Sequence, residues 1–274
     1  METAIRFGSF IAVFIIMAWW ETRRPRRHLS QPKPVRWFNN LSLLVIDALV
    51  VRVALSAAAL GVAYYAEQHS WGLFNFTTWP LWLEFILAWA VLDFALYLQH
   101  VMSHALPVFW RLHRVHHTDL DFDLTTGVRF HPVEIFFSML YKMAIVAALG
   151  APPWAVLIFE VVLNGASVFN HANVQLPKQL DRWLRWFIVT PDMHRVHHSS
   201  VVNETNSNFG FSVSLWDRLC GTYREQPALG QLGFEIGLKE FRQPKQLGLL
   251  HLLLLPLRGR MGLYSFKKDA DPPS

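Results

Sequence analysis

Three histidine clusters carry the chemistry open to this chain. His100 and His104 stand four apart, His113, His116 and His117 follow, and His194, His197 and His198 come later. The second and third clusters share one pentad, His-Arg-Val-His-His, at 113–117 and again at 194–198. Histidine is the commonest transition-metal side-chain ligand, and neutral imidazole binds an ion without a buried counter-charge. Two copies of an imidazole-rich pentad plus a third pair exceed what one ion needs. The pattern therefore predicts a pair of metal ions held by helices, and redox or hydrolytic chemistry. The single cysteine, Cys220, excludes an internal disulfide and a cysteine-rich metal site. Any metal must rest on His, with Asp or Glu as helpers.

Spacing assigns the helpers. On a helix, positions i, i+3 and i+4 share a face, so each pentad offers three imidazoles together while its Arg and Val point elsewhere. Thr190 followed by Pro191 is a helix-start signal, which puts His194 in the first turn of a new helix. His100 and His104 share a face with Asp93 and Tyr97, which precede them by helical steps. Asp93 lies in an apolar run, where a carboxylate needs a partner. The expectation is that it orients a metal-bound imidazole; the alternative is that it caps a water-filled pocket. Glu160, Asn164, Ser167 and His171 form a polar stripe on another apolar helix and must look into protein or a cavity, which makes His171 a ninth candidate ligand. His131, in Arg129-Phe130-His131-Pro132-Val133-Glu134, reads as a ligand, a residue behind the ligands or a helix-start residue. The place behind the ligands, shared with Glu134, is preferred. His28, His69 and His251 read as interfacial or solvated.

The elements that position these residues are apolar. Over half the chain is hydrophobic, only 16% is charged and there are twelve Trp, which argues against a soluble protein. A spanning helix needs roughly 20 mostly apolar residues, and the stretches 4–20, 41–66 and 79–99 qualify. Two more apolar runs, within 133–170, are split by Gly150-Ala151-Pro152-Pro153, a tight helical hairpin that either crosses and returns or dips into the bilayer. About four membrane helices are expected. The first segment lacks a small-x-small cleavage site and ends in Trp19-Trp20, so it reads as an uncleaved anchor. Arg23, Arg24, Arg26, Arg27, Lys33 and Arg36 face only Glu21 among acids, and such a loop stays cytoplasmic. This basic run reads as a topology determinant rather than a nucleic-acid site. The loop at 67–78 holds no Lys or Arg and suits the far side, so the third span returns to the cytoplasm where His100 appears. From about residue 171 the chain turns polar and is broken by Pro177, Pro191, Pro227 and Pro244, as expected of a cytoplasmic cap. Leu247–Leu257 reads as an interfacial helix, and the tail from Lys267 as unstructured chain. The expected fold is all-α: an integral membrane helical bundle with a cytoplasmic helical cap holding a dinuclear centre. Its parts are an anchor over 1–78, a catalytic region over 79–225 and an interfacial segment and tail over 226–274.

The set resembles the sterol desaturase and fatty acid hydroxylase superfamily of integral-membrane di-metal oxygenases. The pattern HxxxH, HxxHH, HxxHH is met by HVMSH at 100–104 and by HRVHH at 113–117 and 194–198. WRLHRVHH, RFHPVE, NHANVQLP, TPDMHRVHHS, NSNFG and SLWDRLCGTY also look like the family, over roughly residues 80–225. The resemblance implies that His100, His104, His113, His116, His117, His194, His197 and His198 hold two Fe ions, with His171 in a region that supplies further ligands. Asp217, in the last segment, joins Asp93, His131, Glu134 and Asn164 as a candidate support for the ligands. Some members carry a second His four residues after the position of His171; here Gln175 stands there, which leaves the count at one metal open. The resemblance further implies O₂-dependent hydroxylation or desaturation of an unactivated C–H bond in a sterol-like lipid, fatty acyl chain, ether lipid or carotenoid. Zinc would also suit the ligands in a purified sample.

No His-Pro-Gly-Gly haem segment, Gly-rich dinucleotide fingerprint or cysteine set for an iron–sulfur cluster is present. The expected reductant is therefore a separate reductase or electron-carrier protein, and no nucleic-acid partner is expected. Two other classes compete: a zinc-dependent membrane hydrolase, though no H-E-x-x-H is present, and a non-enzymatic metal-binding membrane protein such as a transporter. With no ER-retention signal, the expected location is a bacterial inner membrane.

Overall fold

A computed structural model describes residues 1–55 and 58–259. Its helices are α1 (Glu2–Arg23), α2 (Lys33–Ala54), α3 (Ala59–Gln68), α4 (Leu81–Ala105), α5 (Pro107–His117), α6 (Pro132–Leu149), α7 (Pro153–Asn170), α8 (Lys178–Leu184), α9 (Pro191–His197), α10 (Val202–Thr205), α11 (Leu215–Leu219), α12 (Gly230–Gly233) and α13 (Leu249–Leu254). Among the described residues no strand forms. Isolated bridges pair Pro25 with Val174, Ile188 with Val213 and Ser199 with Ile236.

Five helical stretches among the described residues are long and apolar enough to cross a bilayer: α1, the stretch of α2 and α3, α4, α6 and α7. Beside the expectation of about four, the 133–170 segment forms two helices, α6 and α7, each of a length that could cross. Its turn is fixed by backbone packing. A Cβ on Gly72 would lie 2.1 Å from the Gly150 nitrogen, and both glycines have positive φ. No side chain fits either position, so the hairpin turn sits against the loop after α3. Eighteen residues at 1.5 Å each carry α6 about 27 Å from that loop to its first turn.

The expected single span at 41–66 is two helices, with extended backbone at Leu55 and Ala58. Ala59, Leu60, Ala63 and Ala66 bury one face of α3. These mostly small side chains let it approach α6 and α7 closely, as helices in lipid require. Ala88, Leu92 and Leu96 of α4 join Val146, Val156 and Phe159 in the core between the long helices.

Beyond α4 the chain builds a layer of short helices and turns. Leu247–Leu257 does not form one helix: a turn at Pro244–Leu247, then α13, then a turn at Leu255–Leu257 divide it. Leu252 and Leu255 bury against Leu43 of α2 and Val115 of α5. The tail read as unstructured, from Lys267, lies outside the described residues.

Candidate metal centre

The nine candidate histidines meet at one end of the long helices, and none is more than 3% exposed. They form two groups. His100, His104, His113, His117 and His197 make one; His116, His171, His194 and His198 make the other; the candidate ligand atoms within each group all lie within 4.8 Å of one another. The pentads do not act as units. His113 and His117 serve the first group while His116 serves the second; His194 and His198 serve the second while His197 serves the first. Each short helix thus reaches both groups, with the i, i+4 pair on one side and the third imidazole on the other. His117 and His198 stack at 4.6 Å between ring centroids where the groups touch.

The outer ring nitrogens fix the inner ones. His100 Nδ1 lies 2.7 Å from the Phe209 carbonyl, His197 Nδ1 2.8 Å from that of Ser207, His171 Nδ1 2.7 Å from that of Ser167 and His116 Nδ1 3.3 Å from that of Arg129. His113 Nδ1 lies 2.6 Å from Glu134 Oε1, and His104 Nδ1 3.2 Å from the Asn206 side-chain oxygen. Each of these oxygens accepts, so each Nδ1 donates and the neutral ring leaves a bare lone pair on Nε2. The short Nε2–Nε2 contacts of His100–His113 (3.1 Å) and His116–His171 (3.2 Å) are then not hydrogen bonds, and His194 Nε2, on a ring whose Nδ1 has no partner, lies 3.0 Å from His171 Nε2. Nε2 of His104, His117, His197 and His198 is buried with no hydrogen-bond partner. Converging lone pairs repel and cost desolvation energy unless a cation sits among them.

Burial first, and neighbouring imidazoles second, hold His116, His117, His194 and His198 well below the ordinary histidine range. Burial carries His171 down to about 4 and His197 to about 3. Neutral rings are the form that binds a metal. Outward-pointing N–H groups held by carbonyls and a carboxylate are the usual support for such ligands. All-nitrogen donor sets suit Fe, Cu, Ni or Zn rather than Mg or Ca.

The profile of the fatty acid hydroxylase family matches residues 85–222, half of the chain and the part that holds every one of these histidines.

The chain belongs to the fatty acid hydroxylase family.

It is 26% identical over 230 residues to the ornithine lipid hydroxylase OlsE of Rhizobium tropici, covering 80% of this chain and 66% of that protein. It is 28% identical over 178 residues to an alkylglycerol monooxygenase of Xenopus tropicalis, covering 65% of this chain and 37% of that protein. The human cholesterol 25-hydroxylase is 31% identical over 138 residues, 48% of each chain. The chain therefore spans between about a third and two thirds of these relatives. No solved structure matches it.

Within this family member the supporting residues sort differently from expectation. Glu134 stands behind His113, as above. Asp217 acts at one remove: its carboxylate accepts from Phe209 N (2.7 Å), Gly210 N (2.9 Å) and Thr222 Oγ1 (2.7 Å), and the Phe209 carbonyl then holds His100. Burial pushes the Asp217 carboxyl up to about 6 in spite of those donors. Asp93 does not meet an imidazole. Its Oδ2 accepts from Trp216 Nε1 at 2.8 Å, about two helical turns before His100, so the expected role as an orienting group is corrected. His131 is the N-cap of α6: its Nδ1 accepts from Val133 N at 3.2 Å, and its Nε2 lies 3.1 Å from the Leu253 carbonyl. The helix-start reading replaces the preferred one, and Pro132 at the first helical position explains why.

Asn164 is exposed rather than turned toward the histidines. Glu160 on the same helix pairs with Arg6 (3.0 Å) and Lys142 (3.0 Å), while Ser167 Oγ donates to the Gly127 carbonyl at 2.8 Å. The expected stripe thus divides among three partners. Gln175 is exposed and outside the second group, which has four imidazoles without it.

Sequence reasoning missed the turn at 119–129 that braces the first pentad. Arg36, read as part of the basic loop, is buried against Asp119 (2.8 Å) and Asp123 (2.6 Å). Arg129 donates from Nε to the Val115 carbonyl at 2.9 Å and from Nη1 to Asn40 at 2.8 Å. The alternation Asp119, Asp121, Asp123 directly after the pentad was the available signal. Aromatic walls were also missed: Phe130 stacks on His116 at 4.6 Å, and Phe122 on His171 at 5.4 Å.

Gly127 offers a local test. A Cβ there would lie 2.5 Å from the Ser167 carbonyl oxygen and 3.1 Å from His171 Nδ1. Gly127→Ala should push α7 and His171 outward, cost about 1–3 kcal/mol as other overpacked sites do, and lower metal retention at the second group. Metal content and thermal unfolding of the purified variant check this; wild-type values for both would refute it.

Proposed function

We propose that this chain is an O₂-dependent di-iron hydroxylase of an apolar lipid drawn from the surrounding bilayer. One observation carries the reading: two adjacent sets of inward lone pairs, five and four imidazoles, at the end of an apolar helical bundle. The first set matches five ligands to one ion and the second four to its neighbour. Two irons held there would supply O₂ activation and an oxidant able to break an unactivated C–H bond, chemistry that amino-acid side chains lack.

The chain's own residues do the rest. Glu134 keeps the proton of His113 on Nδ1, and Asp217 fixes the Phe209 carbonyl that does the same for His100. Phe122, Phe130 and Phe211 line the imidazoles and exclude water from them. The relatives are named for an ornithine lipid, an alkylglycerol and cholesterol. Lipids with long apolar skeletons are the chemistry these names share, and all three names denote oxygen insertion, which favours hydroxylation over desaturation. The basic residues from Arg23 to Arg36 support a cytoplasmic metal end; on this reading, with all five candidate stretches crossing, α1 starts on the far side. A separate electron-carrier protein is the proposed reductant, and a bacterial inner membrane the proposed location.

The test is lipid profiling of cells with and without the chain. Gain of one oxygen by a lipid, lost under anaerobic growth and in a variant lacking His197, is expected. Loss of two hydrogens instead means desaturation. O₂-independent turnover of zinc-loaded protein would identify a hydrolase and sink the proposal.

A further inference from the structure

A second concavity, of about 560 Å³, lies apart from the histidines between α8, α9 and the segment after α11. Five cations line it: Arg26, Lys178, Arg182, Arg185 and Arg218. Two of its three acids are already neutralised. Asp181 pairs with Arg185 at 2.6 Å, and Asp192 pairs with Arg26 at 3.0 Å and with Arg195. Glu225 is the third and is exposed. Among the described residues no carboxylate lies within ion-pair distance of Lys178, Arg182 or Arg218. The Arg218 guanidinium is clamped between the rings of Trp186 (4.1 Å) and Tyr223 (3.9 Å), with its Nε buried and unpartnered. Arg218 Nη2 also donates to the Arg185 carbonyl at 2.9 Å, so the concavity is a positive site with one rigidly presented guanidinium.

Its rim is apolar. Trp186 lines the concavity, and Trp183 and Phe187, packed on each other at 5.2 Å in the same segment, are like it 58–61% exposed; Leu215 and Leu219 of α11, which flank the lining residue Arg218 in sequence, are exposed too. The contacts of α11 set the depth of this rim. Trp216 bonds Asp93 and lies 4.8 Å from the ring of Phe94. Asp93 precedes His100 by seven residues, so α11 flanks the membrane helix α4 roughly 10 Å toward the bilayer centre from the metal groups. Ser214 N donates to the Phe187 carbonyl at 3.3 Å, which brings the end of the α8 segment to the same level. Exposed Trp and Leu at that depth belong in the acyl–headgroup boundary, where Trp concentrates. A soluble acidic carrier would have no use for such a rim.

We propose that this concavity binds the phosphate of an anionic phospholipid of the leaflet around α4, with Lys178, Arg182 and Arg218 as its partners and the Trp183–Phe187 rim on its acyl chains. The site is distinct from the metal centre and goes beyond the hydroxylase reading. Basic pockets at the membrane surface recognise anionic headgroups in this way.

The test uses the purified full chain in neutral detergent and reads its thermal unfolding midpoint. Phosphatidylglycerol should raise the midpoint by several degrees, and phosphatidylcholine or glycerol 3-phosphate should not. Lys178 and Arg182 are exposed, so Lys178→Gln with Arg182→Gln should fold and lose most of the rise. Lys178→Arg with Arg182→Lys should keep it. An equal rise with phosphatidylcholine, a rise reproduced by glycerol 3-phosphate alone, or one undiminished in the Gln variant would overturn the proposal. No outcome depends on turnover, so failure here leaves the hydroxylase reading untouched.

Discussion

His171→Ala should lose more bound metal than His104→Ala, and under the proposed di-iron hydroxylase reading both should abolish product formation. The difference follows from the donor counts. His171 is one of four imidazoles, and its Nε2 faces both His116 (3.2 Å) and His194 (3.0 Å). Removing it leaves three donors and a gap at the centre of the group. His104 is one of five, and its loss leaves four, enough for a tetrahedral set. The activity loss should reach roughly 10³-fold or more in each, about 4 kcal/mol of barrier, because two ions acting together cannot be replaced by one. Metal content per chain, measured beside product formation, separates retention from turnover. Equal metal content in the two variants, or product formation surviving in either, would sink the assignment.

Helical arithmetic made the ligands legible and hid their partition. The pentads announced imidazoles at i, i+3 and i+4, and those positions do share a face. A face is wide enough to touch two ions, however, and spacing alone does not say that His116 parts from His113 and His117. The same arithmetic put Asp93 on the face of His100 but ignored depth: two turns down, that face meets Trp216. At His131, Pro132 was a cap signal outweighed by a motif. Asn164 failed for another reason: Glu160, Ser167 and His171 each meet a different element, and Asn164 meets lipid or solvent. The hairpin at 150–153 was visible in its Gly and Pro residues, whereas its reach depended on Gly72, far off in sequence. Arg36 was read for topology only, because its partners lie 83 and 87 residues away. Local pattern thus found the donors, and long-range packing decided what holds them.

Asp119→Ala tests that packing and should be the most destabilising change outside the histidines. Asp119 accepts from Arg36 Nε (2.8 Å) and Nη2 (2.9 Å) and from Thr126 Oγ1 (3.0 Å), two residues after His117. Burial alone would raise its carboxyl, but the Arg36 guanidinium holds it well below the usual carboxylate range. Removing one partner of a buried pair leaves the other charge uncompensated, which costs about 3–5 kcal/mol. Asp123 still faces Arg36, so the lower end of that range is expected. The pH dependence has a fixed sign. A carboxylate held below its unfolded value adds stability above about pH 4 and loses it as pH falls toward the native value. Wild-type protein should therefore lose stability below pH 4 more steeply than Asp119→Ala, which has already forfeited this contribution. Unfolding midpoints of both proteins from pH 7 downward measure it. Parallel curves, or a variant as stable as wild type at pH 7, would mean that Arg36 braces the first pentad through Asp123 alone.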